Sequence, residues 1–326
     1  MRAMIIGCGN IGFRHLQSCL DISEIKELVL VEMRGDRIEL CGAEIEKTRK
    51  GLTWKSFSSL EDPSFPNLTF DLVISAVTAD IQETIYPRFG KIKIENLILE
   101  KPLARSREKL RSIDAFYKKT SNIKKVFVNC SQDLWEGNQI LREKLSQRPE
   151  ALPCHMNVAG YNWGFGCNAL HFLELFRFFF SARKIHFHSA QMSLDTRAHK
   201  RGNQFEDYLG IALFSDDSGN SLQISTQVSP VPFSREVVVS LYERDAGRQW
   251  NVDEKTDLVR ENSAPDSWKL GLKYVSQTTA PFVRSLFGGA SPGHARLPTL
   301  EEILISHEPL FDCLENSFQR KEFYFT

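Results

Sequence analysis

The chain has no net charge to exploit: 41 Lys and Arg stand against 41 Asp and Glu over 326 residues. A zero balance gives no general attraction to nucleic acid or to an anionic membrane. The densest basic runs, Lys47–Lys50 and Lys118–Lys125, are short and read as solvated helix faces and a loop. Long hydrophobic runs are also missing. Residues 151–173 carry no formal charge, but their three Asn, two His, one Pro and three Gly make them too polar for lipid. Met4-Ile5-Ile6 is too short for the apolar core of a signal peptide, with Gly7 and Gly9 following at once. The seven cysteines are odd in number and form no C-x-x-C, which argues against a zinc ribbon or a thioredoxin-type pair. Reduced thiols in a cytoplasm are the expectation. With 42% hydrophobic and 25% charged residues, the chain is ordinary for a globular protein of two domains.

The first 125 residues alternate strand and helix signals. Ala3–Ile6, Glu27–Val31, Asp71–Val77, Asn96–Leu99 and Lys125–Asn129 read as strands. Ile11–Leu20, Asp36–Lys50, Ala79–Phe89 and Ser106–Lys119 read as helices. The continuous apolar run of Asp71–Val77 suits a strand buried on both faces, and the alternation predicts a parallel sheet covered by helices. The second part changes character. After a helix near Gly137–Leu145 and a break at Arg148-Pro149, strand-like segments occupy about 154–160, 184–194, 207–215, 220–229, 235–243 and 247–252. Turn clusters such as Ser215–Asn220 predict a largely antiparallel sheet. One apolar helix, Asn168–Phe180, is inserted among them, and another, Thr299–Phe318, closes the chain. Residues 262–298, rich in Ser, Pro and Gly, read as an irregular excursion. The expected domains are a dinucleotide-binding Rossmann domain over 1–125 and a substrate-binding and oligomerisation α+β domain over 126–326.

Gly7-Cys8-Gly9-Asn10-Ile11-Gly12 fits G-x-G-x-x-G between the first strand and the first helix. In that context Gly7 permits the tight turn, Gly9 admits a pyrophosphate, and Gly12 lets helix and strand pack closely. A helix N-terminus then offers Asn10 and Ile11 amide groups to phosphate. Glu32, 20 residues after Gly12 at the end of the second strand, is placed to accept bonds from ribose hydroxyls and to repel a 2′-phosphate. Arg34 is the counter-signal, because an arginine there can bind that phosphate. The expected cofactor is NAD, with NADP open. Ala76 and Val77 end the third strand signal and Glu100-Lys101 follows the next. Strand carboxyl ends are where ligands bind in open parallel sheets, so these four residues join the cofactor-binding set. The competing reading is a glycine turn in a nucleotide-free α/β protein.

These motifs resemble those of the Gfo/Idh/MocA family, named for glucose–fructose oxidoreductase and inositol dehydrogenase. GCGNIG near the start, EKPLA at 100–104, Cys167–Glu174 (CNALHFLE) and Leu297–Glu302 (LPTLEE) carry the resemblance over essentially the whole chain. It implies hydride transfer between NAD(P) and a carbinol carbon of a sugar, cyclitol or sugar nucleotide, and a homodimer or homotetramer formed through the second domain's sheet. It assigns Lys101 to the substrate hydroxyl and nicotinamide region and His171 to general acid/base work. The chain departs from the family pattern at Cys167, where an aspartate stands four residues before the histidine, and at Ala169, in place of a glycine. Thr78 and Gln82 replace a Pro-x-x-x-His segment, and Asp133 replaces an arginine. The NWG-x-x-CN stretch resembles that of family members linked to surface-sugar biosynthesis, and that context is what the resemblance implies.

On the helix itself, Cys167, His171, Glu174, Arg177 and Ser181 share one stripe, the remainder being apolar. A stripe of this kind borders solvent or lines a cavity. Tyr161, Trp163 and Asn168 join Lys101, Cys167 and His171 as candidate substrate contacts, since an aromatic ring can stack on a sugar; core packing is the competing reading. His186 and His188 share a strand face without a third ligand, so no metal is expected. His199, in the polar stretch TRAHKRGNQ, is a weaker candidate for an anionic substrate group. The main reading is an NAD-dependent oxidoreductase. The alternatives are a non-catalytic NAD-sensing regulator or scaffold, and an NAD-retaining elimination or glycoside-cleaving enzyme.

Overall fold

The structure is a computed structural model, and it describes every residue except 66–67, 148–151, 198–204, 230–235, 244–246, 263–265, 289–295 and 325–326. The chain divides into two compact units. One comprises Met1–Ala104, Glu108–Ser131 and Lys273–Leu300, the other Arg105–Arg107, Gln132–Leu272 and Glu301–Thr326.

The first unit is built on a six-stranded parallel sheet. Its strands are β1 (Arg2–Ile6), β2 (Glu27–Val31), β3 (Thr53–Phe57), β4 (Thr69–Ser75), β5 (Lys93–Leu99) and β6 (Ile123–Val128). The order across the sheet is β3-β2-β1-β4-β5-β6, the order of a Rossmann sheet, with the reversal of winding between β1 and β4. Ala3, Met4, Ile5 and Ile6 are all buried, so β1 is covered on both faces, as a near-continuous apolar run requires. Each fully buried Leu, Ile or Val contributes about 1.5–3 kcal/mol of transfer free energy. The connecting helices are α1 (Asn10–Leu20), α2 (Gly35–Thr48), α3 (Ala79–Ile85) and α4 (Arg107–Lys119). β3 carries no clear signal in the sequence because it is an edge strand: of TWKSF only Phe57 is buried.

The second unit holds α5 (Glu136–Ser146), α6 (Phe165–Phe180) and an eight-stranded sheet. The strands are β7 (Cys154–Tyr161), β8 (Ile185–Leu194), β9 (Tyr208–Asp216), β10 (Ser221–Gln227), β11 (Glu236–Glu243), β12 (Gln249–Asp253), β13 (Leu258–Glu261) and β14 (Ser267–Lys269). Their order is β14-β13-β12-β11-β7-β10-β9-β8, and every pairing is antiparallel except β7 with β10. The α/β plus α+β class expected from the sequence is the observed one. Alternation sorts the sheet into two faces. Met156, Val158, Phe214, Leu222, Ile224, Val239 and Leu241 are buried on one, while Leu213, Val238 and Tyr242 stay exposed on the other.

The stretch 262–298 corrects the reading as an irregular excursion. It holds the end strand β14 and α7 (Val275–Phe287), which belongs to the first unit, and the long helix α8 (Leu300–Phe318) follows it. α7 begins with a capping box between Tyr274 and Gln277 and contains Pro281. A proline inside a helix costs about 3 kcal/mol. Burial of Ala280, Phe282 and Val283 offsets it, and that packing comes from distant sequence. No helix among the described residues is long and apolar enough to cross a membrane.

Candidate functional site

The glycine turn lies between the ends of three strands. The Gly7 amide donates to Val31 O at 2.9 Å, and the Ala76 amide donates to Ile6 O at 2.8 Å. The turn therefore sits at the switch point of the sheet, where a crevice opens beyond the carboxyl ends of β1 and β4. Its three glycines are not equivalent. Gly7 has φ +83°, and a Cβ there would lie 2.8 Å from Ala76 O. A Cβ on Gly12 would lie 1.8 Å from Gly7 O. A Cβ on Gly9 would meet nothing within 4 Å. The protein itself thus demands glycine at positions 7 and 12, whereas the space beside Gly9 is left open. α1 starts from Gly9 with no side-chain cap and no acidic residue in its first turn, and Asn10 and Ile11 are exposed. Its amide groups and positive dipole end are directed at that open space.

Glu32 stands beside the turn. Its Oε2 accepts the Cys8 amide at 2.7 Å and its Oε1 the Arg34 amide at 3.0 Å. The carboxylate is fixed by two backbone donors and retains lone pairs for further donors. Arg37 Nε donates to Cys8 O at 2.8 Å and pins the turn from α2. Arg34 is engaged with Asp36 through Nε to Oδ1 at 3.1 Å and Nη2 to Oδ2 at 2.6 Å. That bond holds the Asp36 carboxyl below its ordinary range.

At the next strand end, the Glu100 amide donates to Ser75 O at 3.0 Å. The Glu100 side chain is 11% exposed, and its Oε1 receives Asn129 Nδ2 and lies 3.0 Å from His15 Nε2. Lys101, half-buried, follows and enters a cis bond to Pro102. Ala76 and Val77 are half-buried beside Gly7. Gln82, on α3, is buried and accepts the Ser75 hydroxyl at 2.7 Å. His15 and Asn129 are the members that sequence reasoning missed. A buried histidine on the inner stripe of α1, among Gly12, Leu16 and Cys19, is the signal that points to His15.

In the second unit, α6 begins three residues earlier than its apolar pattern suggests. Gly164 adopts a left-handed conformation, φ 76°, and the Gly166 amide donates to Asp207 Oδ1 at 2.7 Å. The cap comes from a residue 41 positions away, so local sequence does not reveal it. Cys167 and His171 are half-buried on the first two turns. The Asn168 amide is turned back onto Gly164 O, at 3.1 Å, and onto Trp163 O. Trp163 is 2% exposed, crosses Phe172 edge to face at 5.3 Å, and donates Nε1 to Ser225 O at 3.2 Å. Core packing describes Trp163, whereas Tyr161, 39% exposed at the end of β7, keeps a free face.

The polar stripe of α6 is neither solvent edge nor cavity along its whole length. Glu174 is fully buried, receives Arg177 through two nitrogens at 2.6–2.9 Å, and accepts the Ser306 hydroxyl from α8 at 2.8 Å. Burial nonetheless raises the Glu174 carboxyl. Asp133, 2% exposed with no partner for Oδ1 among the described residues, is raised further by desolvation and by the Glu174 charge. Both carboxyls are part of this unit's interior. His186 pairs with Asp217, and His188 with Ser215 at 2.7 Å. His199 lies outside the described residues.

No protein-family model matches the chain, and no curated protein matches it by sequence. Solved structures do match. The WlbA dehydrogenase from Chromobacterium violaceum, in complex with NADH and UDP-GlcNAcA, superposes with TM-score 0.74 at 16% identity, covering 100% of this chain and 96% of that one. The UDP-N-acetylglucosamine 3-dehydrogenase GnnA from Acidithiobacillus ferrooxidans gives 0.68 at 12% identity over 95% of both chains. A super-repressor mutant of Gal80p from Saccharomyces cerevisiae gives 0.70 at 12% identity, over 98% of this chain and 96% of that one. With the sheet order, the second sheet and these superpositions together, the chain has the two-domain fold of the Gfo/Idh/MocA-type dehydrogenases.

Proposed function

We propose that the protein is an NAD-dependent oxidoreductase. It moves a hydride between the nicotinamide and a carbinol or keto carbon of a sugar, cyclitol or sugar nucleotide, in a surface-sugar context. The observation that carries the reading is the open space at Gly9, beside an uncapped helix start and a backbone-anchored Glu32. Two neighbours in fold are dehydrogenases, one described with NADH and a UDP-sugar acid and the other named for UDP-N-acetylglucosamine.

Gly9, Asn10 and Ile11 present backbone amides to the pyrophosphate, Gly7 and Gly12 shape the turn that lets it approach, and Ala76 and Val77 border the same crevice. Glu32 accepts the adenosine ribose hydroxyls and opposes a 2′-phosphate, while Asp36 occupies Arg34. Glu100 and Lys101 serve the same ligand from the end of β5. When bound, the nicotinamide supplies the hydride acceptor or donor. The Lys101 ammonium donates to the substrate alcohol and stabilises alkoxide charge. His171 takes the alcohol proton as general base. Tyr161, Cys167 and Asn168 stand near the same helix start. Titration calorimetry with NAD and NADP, followed by NADH formation over a panel of UDP-sugars and polyols, tests the reading. Tighter NADP binding overturns the cofactor assignment, and no binding of either overturns the reading.

A second reading is a non-catalytic NAD-sensing regulator. Cys167, where the family pattern has an aspartate, favours it, and Gal80p, described as a super-repressor mutant, shares the fold. NAD binding without turnover on the whole panel would select it. For partners, the exposed Leu213, Val238 and Tyr242 on the outer sheet face support a homodimer or homotetramer, without nucleic acid or membrane. Light scattering across micromolar concentrations tests this, and a monomer throughout contradicts it. A reducing cytoplasm suits seven cysteines, six of them buried.

A further inference from the structure

Four polar side chains from distant parts of the sequence meet inside the first unit. His15 from α1 is 1% exposed, Asn129 follows β6 and is 4% exposed, and Thr279 from α7 is 3% exposed. Glu100, at the end of β5, is the fourth. His15 Nε2 lies 3.0 Å from Glu100 Oε1, and His15 Nδ1 lies 2.9 Å from Thr279 Oγ1. An ionised carboxylate only accepts hydrogen bonds, so the proton sits on Nε2, and in the neutral ring Nδ1 accepts from the Thr279 hydroxyl. Asn129 donates to the same Glu100 oxygen. Oε2 of Glu100 accepts no hydrogen bond from the described residues.

A buried histidine–carboxylate pair is no better for stability than an apolar pair of similar volume, because both groups lose solvation. What the arrangement secures is geometry. Two donors hold Oε1, which fixes the rotamer of Glu100 and leaves Oε2 as the open edge at a strand's carboxyl end, where ligands bind in such sheets. The peptide that carries Lys101 follows directly. α1, which carries His15, is also the helix whose start faces the open space at Gly9.

We infer that His15 is a positioning residue: through its Nε2 hydrogen bond it sets the aim of Glu100 toward the bound dinucleotide. The inference rests on the dinucleotide reading for the ligand that Glu100 faces, while the hold of His15 on Glu100 is tested without it. A merely structural histidine would act through its other nitrogen, pinning α7 by way of Thr279. The two roles separate by amide length. In His15→Gln the amide reaches the place of Nε2, and in His15→Asn it reaches the place of Nδ1.

The experiment is NADH binding by fluorescence titration for the unaltered protein and for His15→Leu, His15→Gln and His15→Asn, with a thermal midpoint for each. Loss of one charge-assisted bond corresponds to about a 10-fold or larger change. The expected result is NADH binding weakened about 10-fold in His15→Leu and in His15→Asn, and restored to within about 3-fold in His15→Gln. Restoration by His15→Asn and not by His15→Gln, or equal affinity in all four proteins, overturns the inference. If the unaltered protein binds no NADH, the dinucleotide reading fails, and the ring ¹⁵N shifts of His15 in the unliganded protein then decide. An Nε2-protonated tautomer that changes in Glu100→Gln supports the positioning role, and a ring indifferent to that change overturns it.

Discussion

α1 and α6 each have a glycine as N-cap, and they begin in opposite ways. α1 starts at Gly9 with no side-chain cap, no acidic residue in its first turn and open space beside the glycine. α6 starts at Gly164, whose left-handed backbone is closed over by the Asp207 carboxylate, with Oδ1 taking the Gly166 amide. A Cβ on Gly164 would stand 2.8 Å from Asp207 Oδ2. Every helix start leaves amide groups that need acceptors. In α6 the protein supplies the acceptor, so the helix start is a finished piece of structure whose side chains are its display. In α1 no side chain caps the start and the space beside Gly9 is open, so in the proposed function the backbone itself is the display.

The largest effect that sharpens this contrast is on turnover. If α6 acts through its side chains, His171→Ala lowers hydride transfer about 10²–10⁴-fold, the usual worth of general acid/base help, while NADH affinity stays nearly unchanged. Lys101→Met lowers hydride transfer likewise. Single-turnover NADH formation on the first active UDP-sugar or polyol checks both, and full transfer in His171→Ala removes it as the base. Glu174 is not available as its substitute partner, since its oxygens are engaged with Arg177 and Ser306.

At α1 the contrast predicts a split between neighbouring glycines. Gly9→Ala adds a methyl group to open space, so its thermal midpoint stays put while NADH binding weakens about 10-fold or more. Gly12→Ala drives a methyl group into Gly7 O, and overpacking of this kind costs about 1–3 kcal/mol or more. Equal loss of stability in the two variants, by denaturant titration, would break the distinction between a ligand-facing and a packing-facing glycine. Next in size is selectivity: Glu32→Ala is expected to relax the preference for NAD, and calorimetry with both cofactors reads it directly.

At α6 the expected effect is on stability. Asp207→Ala removes a helix cap and costs about 0.5–2 kcal/mol, whereas Asp207→Asn keeps the acceptor and loses less. A Gly166 amide that exchanges no faster in Asp207→Ala would sink the capping assignment. The smallest effect is a pH dependence inside the same unit. Burial raises the Asp133 carboxyl in the folded state, so folding takes up a proton there. Stability contributed by the protonated form is complete below the ordinary carboxylate range and is lost as pH climbs from that range toward the raised folded value. Asp133→Asn is expected to flatten this slope, so a pH series of denaturant midpoints that is identical in both proteins contradicts it.

The architecture was largely legible because its signals are local. Buried parallel strands such as Asp71–Val77 are continuous apolar runs, and β7 to β12 alternate with period two between turn clusters. The glycine pattern and Glu32 were legible for the same reason, since a dinucleotide turn fixes residue types within one βαβ unit. β3 escaped because an edge strand buries almost nothing, and α7 escaped because Pro281 and a Ser/Thr-rich segment became helical only through packing in the first unit.

The sequence by itself determined the two-part architecture and the place of the glycine turn, and its family resemblance put forward the candidate roles of Lys101 and His171. The tertiary structure decided which polar residues are structural. It drew Trp163 into the core, turned the Asn168 amide onto its own helix start, and sealed Glu174 against α8. It also brought Asp207 to α6 and gathered His15, Asn129 and Thr279 around Glu100. The physical reason is range. Burial periodicity and turn chemistry act between near neighbours in sequence, whereas the partner of a polar group is chosen only when segments far apart in the chain have been brought together.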